Sequence, residues 1–242
     1  MGNQNSQDQV ASSEPGHACS PLLIALGASC QCTYQVRRFT GIERAFYFDW
    51  LGTTHIALLT VLQLRFKGLF RRENLVLARE GTTVMDSLTG VSYRHAFRWQ
   101  RGSKLIDPAS LEHDYAAQRE KFAFLTERWL QDLQSRSILF VRQDSPTPEQ
   151  ARELALALAL YCAQSFQLLF VTADFASARR LDGAHPAVLG DALEAEESPN
   201  TGWQGVNAAW DRLLNAHTAI YPSSSLRPIV ARELAPHELA LT

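Results

Sequence analysis

The sequence predicts a three-layer α/β fold in which a mostly parallel central sheet is flanked by helices. Two observations support this prediction. An apolar segment of strand length, residues 22–26, breaks at Gly27 and leads directly into a helix that begins at Cys30. Further along, two apolar strands at 137–142 and 167–172 enclose a helix. A strand, crossover helix and strand of this length form a right-handed βαβ unit with parallel strands.

The remaining elements follow from hydrophobic periodicity and helix-start signals. In the first helix, Cys32, Val36 and Phe39 share one face, which we expect to be buried. Thr147, Pro148 and Gln150 form the capping box that begins the crossover helix. We expect helices at 30–39, 55–66, 113–134 and 203–217, short strands at 75–77, 91–99 and 226–234, and a loop at 182–202.

Length and composition limit the classes of protein. The 242 residues are 46% hydrophobic, enough to bury one large core. We expect a disordered tail over residues 1–20, which are small and polar, followed by a single α/β domain over residues 21–235. The net charge of −2 gives no general attraction to nucleic acid, and no apolar run approaches the roughly 20 residues that span a bilayer.

The cysteines and the N-terminus bear on location and cofactors. Four cysteines without a secretion signal favour a reducing compartment, so we expect a cytoplasmic protein. Gly2 with Ser6 fits the myristoylation pattern, which matters only if the chain meets a eukaryotic acyltransferase. Cys30-x-Cys32 lacks the further ligands of a zinc site, and Gly27 stands outside any dinucleotide-binding glycine motif, so we expect no metal or cofactor.

Cys30 is the strongest candidate for a functional residue. It lies where the first strand gives way to a helix, and unpaired N–H groups at a helix start favour a thiolate. The N–H groups of residues 28–31 are candidate oxyanion donors. The alternative interpretation is that Cys30 packs as a small hydrophobic residue at the turn.

A nucleophilic thiol requires a base, and His95 is the best candidate because it lies in an alternating segment between two aromatic residues. A structural, hydrogen-bonded histidine is the alternative. Asp49, an acid within an aromatic segment, is the candidate for orienting the imidazole, with Asp107 and Asp114 as substitutes. Asp49 is equally compatible with a structural carboxylate that caps the backbone.

These motifs resemble a known family. Gly27-x-x-Cys30 followed by Arg37, then Phe48-Asp49-Trp50, then a histidine beside an aromatic residue, are similar to the bacterial family DUF1796, described as papain-like cysteine peptidases. The resemblance spans residues 21–215. It implies that Cys30 is the nucleophile and His95 the general base, with a polar or acidic residue orienting the imidazole.

The sequence departs from the family pattern at two positions. Tyr47 replaces a proline before the Phe-Asp-Trp motif, and Ala96 replaces an acid after the histidine, which leaves the third catalytic member open. The strand that leads to the cysteine also resembles hydrolases of the SGNH type, which carry a serine in a comparable turn, and Ser29 lies there. A Rossmann-type or SGNH-like sheet is therefore favoured over a true papain-like fold.

Three functions remain open on sequence alone. The favoured one is a thiol hydrolase or acyltransferase acting on a peptide, acyl or glycan substrate, with Gly27, Ser29, Arg37 and Trp50 at the substrate. The second is an SGNH-like or glycan-processing hydrolase. The third is a non-catalytic module that binds an anion or nucleotide-sugar at the helix N-terminus.

Overall fold

The computed structural model describes residues 20–193 and 202–219. Residues 1–19 of the expected tail and the expected strand at 226–234 lie outside the described residues. In chain order the elements are β1 (Leu22–Ala25), α1 (Cys30–Thr40), α2 (His55–Gln63), β2 (Leu75–Ala78), β3 (Thr83–Asp86), α3 (Ser110–His113), α4 (Tyr115–Ser135), β4 (Ile138–Gln143), α5 (Pro148–Ala159), β5 (Phe166–Thr172), α6 (Phe175–Arg179), β6 (Val188–Ala192) and α7 (Asn207–Ala219).

The central sheet has four strands in the order β1-β4-β5-β6, and every neighbouring pair is parallel. β4, α5 and β5 form the predicted βαβ unit, and α5 begins with the predicted capping box of Thr147 and Gln150. β2 and β3 form a separate antiparallel hairpin. The predicted α/β class with a mostly parallel sheet is confirmed.

Successive residues of the strands pack on opposite faces of the sheet, as the two-residue repeat of a strand requires. In β1, Leu22 and Ile24 join the larger core with side chains of α2, α4 and α5, whereas Leu23 and Ala25 face α1 and α7. β4 and β5 alternate in the same way. Helices therefore cover both faces, which gives the three layers.

The predicted strand at 91–99 is wrong. The partner of β2 is β3, because the chain turns back at 79–81, where three successive residues have positive φ. After β3, Ser92 and Trp99 make only isolated bridges, and His95 lies in a turn. The alternation of residues 91–97 arises instead from a segment that packs Val91, Tyr93 and Phe97 inward without a ladder.

The expected loop at 182–202 contains β6, which no sequence pattern predicts. Its residues Gly190 and Asp191 interrupt any apolar run. Gly190 is required by packing, since a Cβ there would collide with the carbonyl of Ala178 in α6. α2 is shorter than predicted and ends at Gln63, because Arg65 and Phe66 adopt positive φ. No helix among the described residues is long and apolar enough to cross a membrane.

Candidate active site

The cysteine lies on a tight turn at the carboxyl edge of the parallel sheet, the edge where such sheets place their ligands. After β1, Gly27 and Ala28 have φ of 69° and 66°. Ser29 then caps α1, its hydroxyl accepting the N–H of Gln31 at 3.1 Å, and Cys30 is the first residue of that helix. Only glycine fits at position 27, because a Cβ there would collide with the Thr53 hydroxyl.

The Thr53 side chain fixes the Gly27 turn through hydrogen bonds to the backbone on both sides of it. Its hydroxyl accepts the N–H of Ala28 at 3.0 Å, donates to the carbonyl of Leu26 at 3.1 Å and accepts from Arg142 Nη1 at 3.1 Å. A hydroxyl has one donor and two acceptor positions, so all are used. Thr53 therefore holds both sides of the Gly27 turn.

Arg142, at the end of β4, is completely buried and completes this arrangement. Its guanidinium donates to the carbonyls of Leu26 at 2.8 Å and Thr53 at 2.9 Å, and it pairs with Asp144 at 2.8 Å. Sequence reasoning missed Thr53 and Arg142. The one available signal was an arginine ending a buried apolar strand, where a charge requires partners.

The segment of residues 52 and 53 also holds the loop that carries His95, which is called the histidine loop below. Gly52 and Ser92 exchange backbone hydrogen bonds of 3.0 and 2.9 Å, and a Cβ on Gly52 would lie 3.1 Å from that of Ser92. Residues 52 and 53 thus contact the histidine loop on one side and the cysteine turn on the other. As a result, Cys30 Sγ lies 3.9 Å from His95 Nε2.

Two tryptophans flank the imidazole. Trp50 meets it edge-on with ring centroids 6.3 Å apart, and Trp99 stacks on it at 6.1 Å. The indole N–H of Trp99 donates to the carbonyl of Arg94 at 3.1 Å, which fixes Trp99 against the loop. The ring of His95 is therefore oriented by aromatic packing.

Both members of the pair are neutral in the free protein. Burial raises the pKa of the Cys30 thiol above its ordinary value of 9.0, and Arg94 lowers it by a smaller amount. Burial, and then Arg94, lower the pKa of His95 below 6.5. The raised pKa of Cys30 does not favour the thiolate expected from the sequence, because loss of solvent around Sγ outweighs the nearby positive charge.

Most of the expected oxyanion donors are occupied. The N–H of Ala28 bonds Thr53, that of Ser29 bonds the Gly27 carbonyl, and that of Gln31 bonds the Ser29 hydroxyl. Of the four predicted donors, the Cys30 N–H alone has no acceptor among the described residues. One backbone donor is therefore available beside the thiol.

The structure does not bring Asp49 to the imidazole. Its carboxylate accepts the N–H of Phe46 at 3.0 Å, and burial raises its pKa to about 6. The substitutes are also engaged elsewhere: Asp107 accepts the N–H of Ala109, and Asp114 pairs with Arg98. Within residues 20–193 and 202–219, no carboxylate bonds His95, so the arrangement is a cysteine–histidine pair.

A cleft of about 330 Å³ is lined by Tyr34, Arg37, Arg38, Gly41, Ile42, Glu43 and Trp50. Trp50 connects it to the pair, because its ring also contacts that of His95. The predicted substrate residues Arg37 and Trp50 both line it, whereas Ser29 and Gly27 shape the turn. Arg38 is paired with Asp211, and Arg37 donates to the Glu43 carbonyl.

Trp203 packs on Tyr34 and Trp50, the two large aromatic residues that line this cleft, and the three rings form what is called the aromatic wall below. It packs 6.0 Å from Trp50 and 5.5 Å from Tyr34, and 57% of its surface is exposed. The helix predicted at 203–217 includes Trp203, which is wrong, because α7 begins only at Asn207. Across the described ranges, no group of three or more His, Cys, Asp or Glu side chains is arranged to hold a metal ion.

Comparison with known proteins bears on the family. A family model described as "putative papain-like cysteine peptidase" (DUF1796) matches residues 22–174. The chain belongs to this family. The match includes the segments that supply Cys30, Thr53, His95 and Arg142, and it ends before β6 and α7. Searches of curated proteins and of solved structures gave no match.

Proposed function

We propose that this protein is a cysteine-dependent hydrolase or acyltransferase in which Cys30 is the nucleophile and His95 the general base. The observation that carries the proposal is the 3.9 Å distance between Cys30 Sγ and His95 Nε2. The two residues are 65 positions apart, and separate contacts to residues 52 and 53 hold each of them at the sheet edge. Membership of a family described as cysteine peptidases agrees with this assignment.

The reaction follows from the neutral pair. His95 Nε2 takes the thiol proton as Sγ attacks the acyl carbon and forms the S–C bond. The Cys30 N–H donates to the oxygen that becomes negative. When the tetrahedral intermediate collapses, the bond to the leaving group breaks and that group takes the proton from His95. Water or another acceptor, deprotonated by His95, then cleaves the thioester.

The surroundings suit an acyl substrate with an apolar portion. Tyr34 and Trp50 offer ring surface in the cleft, Trp203 packs on both, and the cleft has the size of a small-molecule subsite. A peptide, an acyl donor or a glycan ester each fits this description. The chemistry requires a reduced Cys30, which is consistent with the cytoplasmic location expected from the sequence.

The serine alternative has weaker support. The Ser29 hydroxyl accepts the N–H of Gln31 and caps α1, and no histidine contacts it among the described residues. A nucleophilic serine requires a base within hydrogen-bond reach. The geometry therefore favours Cys30 over Ser29.

Acyl transfer to the protein tests the proposal. The folded protein is incubated with p-nitrophenyl acetate, and the acetylated residues are located by mass spectrometry. We expect the acetyl group on Cys30, with a rate reduced on the order of a hundredfold or more in His95→Gln. Ser29→Ala serves as the control and should keep most of the rate.

Three results would contradict this function. A rate unaffected by His95→Gln would show that the histidine is not the base. Acetylation of Ser29 would support the SGNH-like alternative. Absence of any transfer, together with saturable anion binding, would support the non-catalytic module.

A further inference from the structure

The loop that carries His95 is strongly basic. Between Asp86 and Asp107 the chain contains no acidic residue, and it contains four cationic ones, at positions 94, 98, 101 and 104, although the whole chain has a net charge of −2. Arg98 is paired with Asp114 at 2.9 Å. Among the described residues, no carboxylate forms a salt bridge with Arg94.

Arg94 is held beside the reacting pair. Its guanidinium lies over the ring of Trp99 at 5.6 Å from the centroid, and that ring stacks on His95. The Trp99 indole N–H donates to the Arg94 carbonyl, which fixes the two residues relative to each other. Arg94 is exposed, so its guanidinium is accessible from solvent.

The Arg94 guanidinium affects the two partners in opposite ways. It stabilises a thiolate on Cys30, and it disfavours the imidazolium that forms when His95 accepts the proton. A bound anion would offset the second effect and retain the first. The positive loop would also attract anionic molecules from solution.

We infer that Arg94 binds an anionic group of the substrate, a carboxylate or a phosphate, placed next to the acyl carbon that Cys30 attacks. This inference rests on the proposed function and restricts its substrate class to acyl compounds with a negative charge near the scissile bond. Arg94 then determines specificity, while Arg37 and the aromatic residues contact the remainder of the substrate.

Two alkylating reagents that differ in charge test this directly. In both, the thiol loses its proton, Sγ bonds the CH₂ carbon, and iodide leaves as the C–I bond breaks; iodoacetate carries a carboxylate and iodoacetamide does not. The measurement is the ratio of the two rates at Cys30, read by mass spectrometry. We expect Arg94→Gln to lower the iodoacetate-to-iodoacetamide ratio about fourfold or more, as expected for removal of one nearby charge.

Three controls make the result specific. Arg98→Gln removes a charge that Asp114 already neutralises, so the ratio should stay close to that of the wild type. Arg94→Lys keeps the charge and should restore much of the ratio. Raising the ionic strength should lower the wild-type ratio more than that of Arg94→Gln.

Protection of Cys30 by small anions shows whether the anionic group of the substrate is a carboxylate or a phosphate. Acetate and inorganic phosphate are compared, at matched ionic strength, for slowing the reaction of Cys30 with iodoacetamide. Protection by acetate alone indicates a carboxylate substrate, and protection by phosphate alone indicates a phosphorylated one. In either case, protection should disappear in Arg94→Gln.

An unchanged reagent ratio in Arg94→Gln, or absence of protection by both anions, would overturn the inference. Either result leaves the proposed function intact if Cys30 reactivity still depends on His95. Loss of that dependence, by contrast, would reject the proposed function itself.

Discussion

At the scale of single residues, the part of the chain that the structure describes offers the Cys30–His95 pair no third, charged member. Both groups are neutral, and the imidazole is positioned by Trp50 and Trp99. A neutral pair must move its proton during attack, so the general base is needed in the reaction and not merely for producing a resting thiolate. This has a direct consequence for the pH dependence of Cys30.

The rate of Cys30 alkylation by iodoacetamide should show two limbs. Neutral His95 is the active base, so the rate should fall as pH drops through its pKa, which lies below 6.5. A second rise should occur above pH 9.0, where the thiol itself ionises. His95→Gln should lose the plateau at neutral pH and keep the alkaline rise. A single titration well below pH 8 in the wild type would instead show a resting thiolate.

Asp49 should prove structural. Its raised pKa, about 6 against 3.8, means that the folded protein binds its proton more tightly than the unfolded chain does. Stability is therefore lost as pH rises from about 4 to 6, by up to roughly 3 kcal/mol for two pKa units. Asp49→Asn should remove that pH dependence in urea unfolding.

The same variant tests the triad directly. Asp49→Asn should leave the acetylation rate of Cys30 within about threefold of the wild type, because the side chain bonds Phe46 and not His95. A loss comparable with that of His95→Gln, on the order of a hundredfold, would place Asp49 in the catalytic machinery.

The sequence predicted some of these residues better than others. The position of Cys30 at the start of α1 was predictable because a strand, a glycine and a helix start are local signals. The state of its thiol was not, because burial of Sγ depends on side chains distant in sequence. The strand predicted around His95 is wrong, since its segment is a turn, yet His95 Nε2 lies 3.9 Å from Cys30 Sγ.

At the scale of elements, residues 52 and 53 connect the two halves of the site. Thr53 bonds both sides of the cysteine turn, and Gly52 bonds Ser92 in the histidine loop. No periodicity marks this segment, because it belongs to neither a helix nor a strand. Its importance becomes visible only when β1, β4 and the loop after β3 are placed together.

Replacing Thr53 should change both the free energy of unfolding and the position of Cys30, and two variants distinguish these effects. Thr53→Val keeps the shape but leaves the Ala28 N–H without its acceptor, which should cost about 1–3 kcal/mol in urea unfolding. We also expect at least about a tenfold slower acetylation of Cys30, since the turn that carries it loses its support. Thr53→Ser retains the hydroxyl and should recover most of the rate. Equal rates in the two variants would show that the hydroxyl does not position Cys30.

Across the elements, the parallel core was predictable and its edges were not. The apolar runs of β4 and β5 and the capping box of α5 are strong signals within short stretches of sequence. β6 has a half-exposed interior and is defined by its pairing with β5, while β3 competes with a similar pattern at 91–99. Both strands are defined by the strand with which they pair, β3 by β2 and β6 by β5. Sequence periodicity carries no information about pairing partners.

At the scale of the whole molecule, the family match ends at residue 174, but the core does not. The face of the sheet formed by Leu23, Leu139 and Leu169 is covered by α1 and by α7. α7 also bonds α1 through Asp211 and Arg38. The helix that begins at Cys30 is therefore supported from outside the matched segment.

Trp203 and Trp210 both follow the matched segment, and we expect them to have different roles, Trp210 in stabilising the fold and Trp203 in contacting the substrate. Trp210 in α7 is fully buried against the sheet, so Trp210→Ala should cost about 3–5 kcal/mol in urea unfolding. Trp203 is largely exposed, so Trp203→Ala should change stability by less than about 1 kcal/mol.

The same two variants should differ in the opposite sense in acyl transfer. With protein kept folded at low temperature, Trp203→Ala should weaken saturation by aromatic acyl donors, because it removes a ring that contacts Trp50 and Tyr34. Trp210→Ala should affect the rate only in proportion to the unfolded fraction. If Trp203→Ala leaves saturation unchanged, the ring of Trp203 does not contact the acyl group, and Tyr34 and Trp50 alone supply the aromatic surface of the cleft.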